Sequence, residues 1–463
     1  MATLTVTNPY DLSHIGGLPL STGEDVENAL SKAKCLFENR DRWLPAYQRI
    51  EILEKTAALM LGRVEDLVRL ACSEGGKPWN DSLVEVNRAI QGVKLAAEHV
   101  SQLGGEQIPM GQMATTDGRL AFTQREPIGV VSSISAFNHP LNLIVHQTVP
   151  AIAAGNPVII KPSSATPLSC FNFVSILREA GLPEDWCQAI VCQKEDAEKL
   201  VTDERIGFFS FIGSGRVGWR LRSKLAPGAR CALEHGGAAP VIVEPDADLD
   251  EAVPLLAKGG FYHSGQVCVS VQRVFVHEDI MEQLSQRLVE EVSHITVGDP
   301  LFPETDAGPL IFPREVERVS DWVDEAVAGG AQVLVGGGKH SETCYQPTLL
   351  LEPPADAKVS TLEIFGPVVC LYAYSDRNDA IARANSLPLA FQSAIFTQDI
   401  NVALDSASRL NATAVMVNDH TAYRADWMPF GGRDESGLGM GGVPQSMHEM
   451  TREKMTVIKS PSK

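Results

Sequence analysis

Between residues 22 and 103 the apolar positions recur at the 3.6-residue spacing of helices that bury one face, most clearly over residues 49–71 and 85–100. Ser21 and Thr22, just ahead of this region, are predicted helix caps, because a hydroxyl there accepts from an otherwise unpaired N–H. Residues 107–129 lose that period. Gly and Pro punctuate short alternating stretches, which predicts a β-hairpin. The rhythm then changes again. Short apolar runs at 129–136, 156–163, 188–193 and 208–214 alternate with helical stretches at 165–183 and 214–228, the βαβα order of a parallel sheet wound on both faces. A second series of apolar runs at 239–245, 272–279, 331–337, 368–374, 393–399 and 411–419 predicts a second sheet. The alternation over 447–463 predicts a strand that pairs with another part of the assembly.

Composition narrows the classes. A chain of 463 residues accommodates two α/β domains, and 44% apolar with 21% charged residues is the balance of an ordinary globular enzyme. The net charge of −19 repels nucleic acid and anionic membranes at long range, so neither is an expected partner. Nine cysteines without a CxxC pair are read as reduced thiols, and the N-terminal residues lack the basic and apolar segments of a leader. No window holds 18 uninterrupted apolar residues, and the expected location is cytoplasmic.

Two stretches carry candidate chemistry. Gly213-Ser214-Gly215-Arg216-Val217-Gly218 is a GxGxxG turn after an apolar run and before a helical one, where backbone N–H groups and a helix N-terminus favour a pyrophosphate. In the simple dinucleotide fold an acidic residue about 20 positions later holds a ribose, and Glu234 nearly fits. The other stretch is Gly265-Gln266-Val267-Cys268. A cysteine in such a place is as a rule a small core residue, and only its surroundings make it a nucleophile.

Here the chain resembles the aldehyde dehydrogenase superfamily. The GQVC segment matches that family's nucleophile motif, and Glu234-His235-Gly236-Gly237 its general-base motif, 34 residues upstream. Five further matches follow the family's order: Ala136-Phe137-Asn138-His139-Pro140-Leu141, Lys161-Pro162-Ser163, Glu363-Ile364-Phe365-Gly366-Pro367-Val368, Pro429-Phe430-Gly431-Gly432 and Ser436-Gly437-Leu438-Gly439. The resemblance implies an α/β fold of two doubly wound parallel-sheet domains with a small β bridging element. In that layout residues 1–103 and 124–238 bind the dinucleotide, 239–440 form the catalytic domain, and 104–123 with 441–463 form an oligomerisation element. A homodimer or homotetramer is implied.

The resemblance also implies roles. Cys268 is the nucleophile, Asn138 with the Cys268 amide holds the oxyanion, Glu234 activates water, and Lys161 stands with them near the reaction centre. Ser135, Ala136, Phe137, Lys161, Ser163, Ser164, Gly213, Ser214, Val217, Glu363 and Phe365 are the expected cofactor ligands. Glu234 thereby passes from ribose ligand to base. The chemistry is consistent with these residue types: a thiolate builds a tetrahedral centre on a carbonyl, amide donors hold its oxygen, and after hydride loss a carboxylate deprotonates the water that cleaves the thioester. No metal site is expected, since His139, His235 and His263 lack ligand spacing and read as local hydrogen-bonders.

The chain departs from the family pattern in places that matter. Ser164 stands where many NAD-preferring relatives carry a glutamate that repels a 2′-phosphate, so NADP or NAD is expected, with a lean to NADP. His235 and Ala238 replace a leucine and a lysine that are usual beside the base. For the substrate, Arg88, Phe137, Val267, Val269, Arg424 and Phe430 are the expected contacts, and the pattern resembles the branch of lactaldehyde and succinate-semialdehyde-type enzymes. A small aldehyde of two to four carbons with a hydroxyl or anionic group is expected. The competing readings are a CoA-acylating enzyme, which needs no water-activating base, and a catalytically silent binding protein on the same scaffold.

Overall fold

The computed structural model describes residues 2–459. Met1 and residues 460–463, the outermost parts of the expected cofactor-binding and oligomerisation regions, lie outside the described residues. The N-terminal helical region consists of four helices, Gly23–Glu38, Ala46–Leu61, Val64–Gly75 and Trp79–His99. Thr22 caps the first of these in a reciprocal pair with Asp25, as its position predicts. The apolar faces of the last three helices and the helix Asn142–Ala153 form one core with Val131, Val158 and Phe208 of the neighbouring sheet, while Val26, Ala29, Leu30 and Ala33 of the first helix pack against Val130, Ile159 and Ile206.

That sheet has six strands. In spatial order they are Cys187–Ala189, Val158–Lys161, Val130–Ile134, Ile206–Ile212, Arg230–Glu234 and Gly437–Leu438. The chain starts in the middle at Val130–Ile134, winds outward to one side and returns to the other. The crevice between Val130–Ile134 and Ile206–Ile212 is therefore a topological switch point, where ligands gather at the carboxyl ends of the strands. All pairings are parallel except the last, in which Gly437 and Leu438 run antiparallel to Glu234 and Leu233.

The second sheet has seven strands, ordered Gln332–Val335, Thr348–Leu351, Val368–Tyr374, Val271–His277, Ala239–Val243, Gln392–Phe396 and Ala414–Val417. It is parallel apart from the antiparallel edge strand Gln332–Val335. Its central strands are Val- and Ile-rich because both faces are covered, by separate apolar clusters around Ile242 and Val241.

The predicted hairpin is short on one side. Gln107–Ile108 pairs with Phe122 and Ala121, but Arg119–Pro127 runs on and pairs along its full length with the C-terminal strand Thr451–Lys459. The C-terminal alternation thus finds a partner within its own chain, and Val443–Glu449 ahead of it is a helix against Asn142–Ala153. Asn156 ties this arm down. Its side-chain oxygen accepts from the Gly129 N–H at 3.1 Å, and its amide donates to Met450 at 2.9 Å and Ala151 at 3.3 Å. Asn156 is fully buried, so Asn156→Ala would strand the Gly129 N–H without water and release the tie to Met450. A loss of about 3 kcal/mol is expected, read as a lower urea midpoint with unchanged secondary structure before unfolding.

Candidate active site

A cavity of about 830 Å³ opens between the carboxyl end of the six-stranded sheet, where Ile134, Ile212 and Glu234 close their strands, and the amino end of the seven-stranded sheet, where Cys268 and Glu363 precede Val271–His277 and Val368–Tyr374. Cys268, Glu234 and Asn138 all line it, as do Ser135, Ala136, Phe137, Ser163, Gly213, Ser214, Val217, Glu363, Phe365, Arg88, Val267, Val269, Arg424 and Phe430. Two expected residues do not. Lys161 closes its strand half-buried, its ammonium donating to the Pro162 carbonyl at 3.2 Å, and Ser164 is exposed beyond it.

Cys268 follows a strained turn. His263, Ser264 and Gly265 have φ of 47°, 53° and 70°, three consecutive left-handed residues, which cost non-glycine residues about 1–2 kcal/mol each. Hydrogen bonds hold the turn in place. Asp81 accepts from the His263 N–H at 3.1 Å, Ser264 Oγ donates to Gly308 at 2.7 Å, and Gln266 binds Pro309 and Ile311 through both ends of its amide. At Gly265 a Cβ would collide with the Gly366 carbonyl, so the nucleophile turn lies directly on the Glu363–Val368 loop.

Asn138 is set by the same turn. Its amide nitrogen donates one hydrogen to the Gln266 carbonyl at 2.9 Å, which leaves the second hydrogen for a ligand near Cys268. The loop that carries it is held from the opposite side by Glu85, which accepts from the N–H groups of Leu141 (2.9 Å) and Asn142 (3.0 Å) at the start of a helix. Glu85 in turn pairs with Lys77 at 2.7 Å, both side chains fully buried, and Lys77 reaches His139 Nδ1 at 2.6 Å.

Asp81, Glu85 and Arg88 lie at i, i+4 and i+7 of the helix Trp79–His99, so a single face of it serves the whole site. Sequence reasoning singled out only Arg88. The signal was present, since three charged residues at helical spacing amid buried Ser82, Val86 and Ala89 mark an inward polar stripe rather than a solvated face.

Glu234 ends its strand with its carboxyl against Gly441, where a Cβ would displace it. Burial pushes this carboxyl up to about 7, and Arg424 only partly opposes the shift. Burial likewise raises the Cys268 thiol far above its ordinary value, with Glu234 and Glu363 adding to it and Arg424 and its own amide pulling back. The resting thiol is therefore protonated and sits in the field of a carboxylate that titrates near neutrality. Gly236 and Gly237, next along the chain, leave room for the Glu363 carboxylate and the Cys268 carbonyl respectively, and the Gly237 N–H donates to Glu363 at 3.2 Å. Burial raises Glu363 to about 8 against that bond and Arg318. His235 lies under the glycine turn, Nδ1 2.9 Å from the Gly213 carbonyl, in space that a side chain at Gly218 would fill.

The turn at 213–218 fits a dinucleotide. Val217 and Gly218 make the first backbone bonds of the helix Gly215–Arg222, both to Ser214, so the amides of Gly215 and Arg216 precede them and are available to phosphate oxygens. Ser135, whose Oγ is buried without a partner among the described residues, and the Ser163 side chain line the same wall. Phe137 and Phe365 meet edge to face at 5.8 Å.

At the other end of the cavity the arginines differ. Arg88 makes a bidentate pair with Asp426 at 2.7 and 3.2 Å, and His146 binds the same carboxylate at 2.8 Å. Burial would raise Asp426, but His146 and Arg88 outweigh it and hold the carboxyl below its ordinary range. Arg424 lies over the Phe430 ring at 3.5 Å, with Nη1 buried and unpartnered among the described residues. Burial and then Arg88 lower it to about 10, which still leaves it a cation at neutral pH.

Comparison with known proteins agrees with this arrangement. A sequence model described as the aldehyde dehydrogenase family matches residues 2–456. The 3-sulfolactaldehyde dehydrogenase of Priestia aryabhattai is 37% identical over 456 residues, covering 98% of this chain and 94% of its own. The crystal structure of aldehyde dehydrogenase 21 from Physcomitrella patens, in complex with the reaction product succinate, superposes with a TM-score of 0.96 at 36% identity, covering 99% of this chain and 95% of its own. A glyceraldehyde-3-phosphate dehydrogenase of Methanocaldococcus jannaschii, complexed with NADP, gives 0.93 at 37% identity and covers 99% of both chains. From the family match across nearly its full length and the site built at its sheet ends, this chain belongs to the aldehyde dehydrogenase family.

Proposed function

We propose that this NAD(P)-dependent aldehyde dehydrogenase oxidises a small aldehyde bearing an anionic or hydroxyl group, with Cys268, Asn138 and Glu234 as its catalytic residues. The observation that carries the reading is the convergence in one cavity of a thiol, a half-used amide and a carboxyl titrating near 7, with Arg424, whose Nη1 has no hydrogen-bond partner among the described residues, at the far end.

In this mechanism the aldehyde oxygen accepts from the second Asn138 hydrogen and the Cys268 N–H, together worth several kcal/mol at about 3 each. The Cys268 proton passes to Glu234 as sulfur attacks the carbonyl carbon, because the thiol of itself is too weak an acid in this buried site. A nicotinamide dinucleotide, when bound, supplies the hydride acceptor. With hydride gone, the carbon remains bonded to Cys268 as a thioester. Glu234, freed of its proton, then takes one from water, which cleaves the thioester and returns the thiol. Gly213, Ser214, Val217, Ser135, Ala136, Phe137 and Ser163 would hold the dinucleotide on one wall, and Glu363 and Phe365 on the other. Lys161 and Ser164 would reach the adenosine ribose from the end of their strand.

The anionic end of the substrate is assigned to Arg424, with Arg88 held beside it by Asp426, while Phe137, Val267, Val269 and Phe430 enclose the carbons between. The relatives named above include a sulfolactaldehyde enzyme and one crystallised with succinate, which supports a short, negatively tailed aldehyde here. A cytoplasmic homo-oligomer is proposed as well. Its support is nine free cysteines, no helix among the described residues long and apolar enough to cross a membrane, and exposed Leu120, Met455, Val457 and Ile458 on the three-stranded sheet.

Glu234→Gln is expected to slow both the first turnover and the steady rate by 100-fold or more in stopped-flow absorbance, on the order of what loss of a general base removes, because one carboxylate takes the proton of Cys268 and then that of water. In the unmodified enzyme the deacylation-limited rate should rise with pH through about 7, as Glu234 loses its proton, and this limb should vanish in the variant. Arg424→Gln should lower kcat/KM for succinate semialdehyde by about 100-fold, and for propanal far less, in parallel initial-rate assays. Ser164→Glu restores a like charge beside a 2′-phosphate and should raise the KM for NADP by about tenfold or more relative to that for NAD.

A further inference from the structure

His139 follows Asn138 directly and lines the same cavity, yet the chemistry above leaves it idle. Its surroundings fix its protonation state. Lys77 Nζ, 2.6 Å from Nδ1, is an ammonium paired with Glu85, and an ammonium has hydrogens but no lone pair. Nδ1 must therefore accept, and the neutral imidazole carries its proton on Nε2. A doubly protonated ring is opposed by burial, then by Lys77, Arg88 and Arg424, so His139 stays far from its cationic form.

The ring edge at Nδ1 faces Lys77, which is fully buried, so the 12% of the side chain that is exposed belongs to the opposite edge, at the cavity. That edge makes no hydrogen bond among the described residues. The ring lies 6.1 Å from the Tyr262 ring, another lining residue, and within the field of both Arg88 and Arg424. Asn138, His139, Cys268 and Arg424 line one cavity, so a substrate held at Cys268 shares it with the His139 ring. A neutral N–H donor at that point does not compete with arginine for a charge. It matches an uncharged oxygen.

We propose that His139 is a specificity-determining residue whose Nε2–H donates to a hydroxyl on the carbon next to the aldehyde, selecting 2-hydroxyaldehydes over their deoxy analogues. The inference rests on the functional reading above and adds the position of the hydroxyl to it. Lys77 and Glu85 act as positioning residues, since they hold the ring in the tautomer that donates toward the cavity. The closest alternative, a second contact to the anionic tail, would need a cation and lacks one.

The test compares lactaldehyde with propanal, which differ only in that hydroxyl, using the full-length enzyme and saturating NADP. The ratio of kcat/KM for lactaldehyde to that for propanal should favour lactaldehyde in the unmodified enzyme. It should collapse by about tenfold in His139→Phe, the loss expected for one good hydrogen bond, and recover in part in His139→Gln, whose amide can donate again. Because the readout is a ratio within one protein, partial misfolding cannot produce it. An unchanged ratio in His139→Phe, or equal loss for both aldehydes, would overturn the assignment while leaving the dehydrogenase reading intact. Failure of the unmodified enzyme to oxidise either aldehyde or succinate semialdehyde would overturn the functional reading, and this inference with it.

Discussion

The site depends on glycines whose bare backbone lets another backbone or a carboxylate of the site come into direct contact. Gly265 lies on the Gly366 carbonyl, Gly237 on the Cys268 carbonyl, Gly236 on the Glu363 carboxylate and Gly441 on the Glu234 carboxylate. Each contact removes the adjustable layer that side chains provide elsewhere in a protein. Cys268, Glu234 and Glu363 consequently keep fixed relations although they come from distant parts of the chain. Groups so placed need little reorganisation when charge develops, which is the condition under which fixed dipoles contribute most. The three left-handed residues ahead of Cys268 are the conformational cost of bringing the turn this close, and the bonds from Asp81, Ser264 and Gln266 offset it.

Around this dry contact lies a second tier of buried charge. One face of the helix Trp79–His99 sends Asp81 to the nucleophile turn, Glu85 to the asparagine loop and Arg88 to Asp426. Burying these charges is expensive, and their mutual pairing recovers that cost only with good geometry. The return is orientation. A helix anchored in the N-terminal core acquires directional bonds to elements of both sheets, so the two halves of the cavity share one reference frame.

Much of this was legible in the sequence, for identifiable reasons. Cys268, Asn138, Glu234 and Glu363 lie in short motifs whose glycines and prolines are demanded by local geometry, and they line one cavity. Strand and helix runs were readable from their periods, since sheets covered on both faces leave continuous apolar segments. Lys77, Glu85, His139 and Asp426 were not singled out for these roles, because their meaning comes from partners far away in sequence, such as Arg88 with Asp426, 338 residues apart. The strand Thr348–Leu351 was missed too, and the antiparallel edges of both sheets carry no local sign of their direction.

The last stretch of the chain visits every layer. Phe430 bridges to Gly441 across a tight loop, Gly437–Leu438 completes the six-stranded sheet, Val443–Glu449 docks on Asn142–Ala153, and Thr451–Lys459 covers Arg119–Pro127. Ser436 donates to the Gly236 carbonyl across 200 residues of sequence. A chain emerging from the ribosome thus cannot finish its first sheet until its final segment is made. Meanwhile the edge at Leu233–Glu234 and the strand at 119–127 are open to wrong partners. The segment that closes the molecule is also a quality check on synthesis, since a chain of 463 residues that stopped before Gly441 would lack the backing of Glu234.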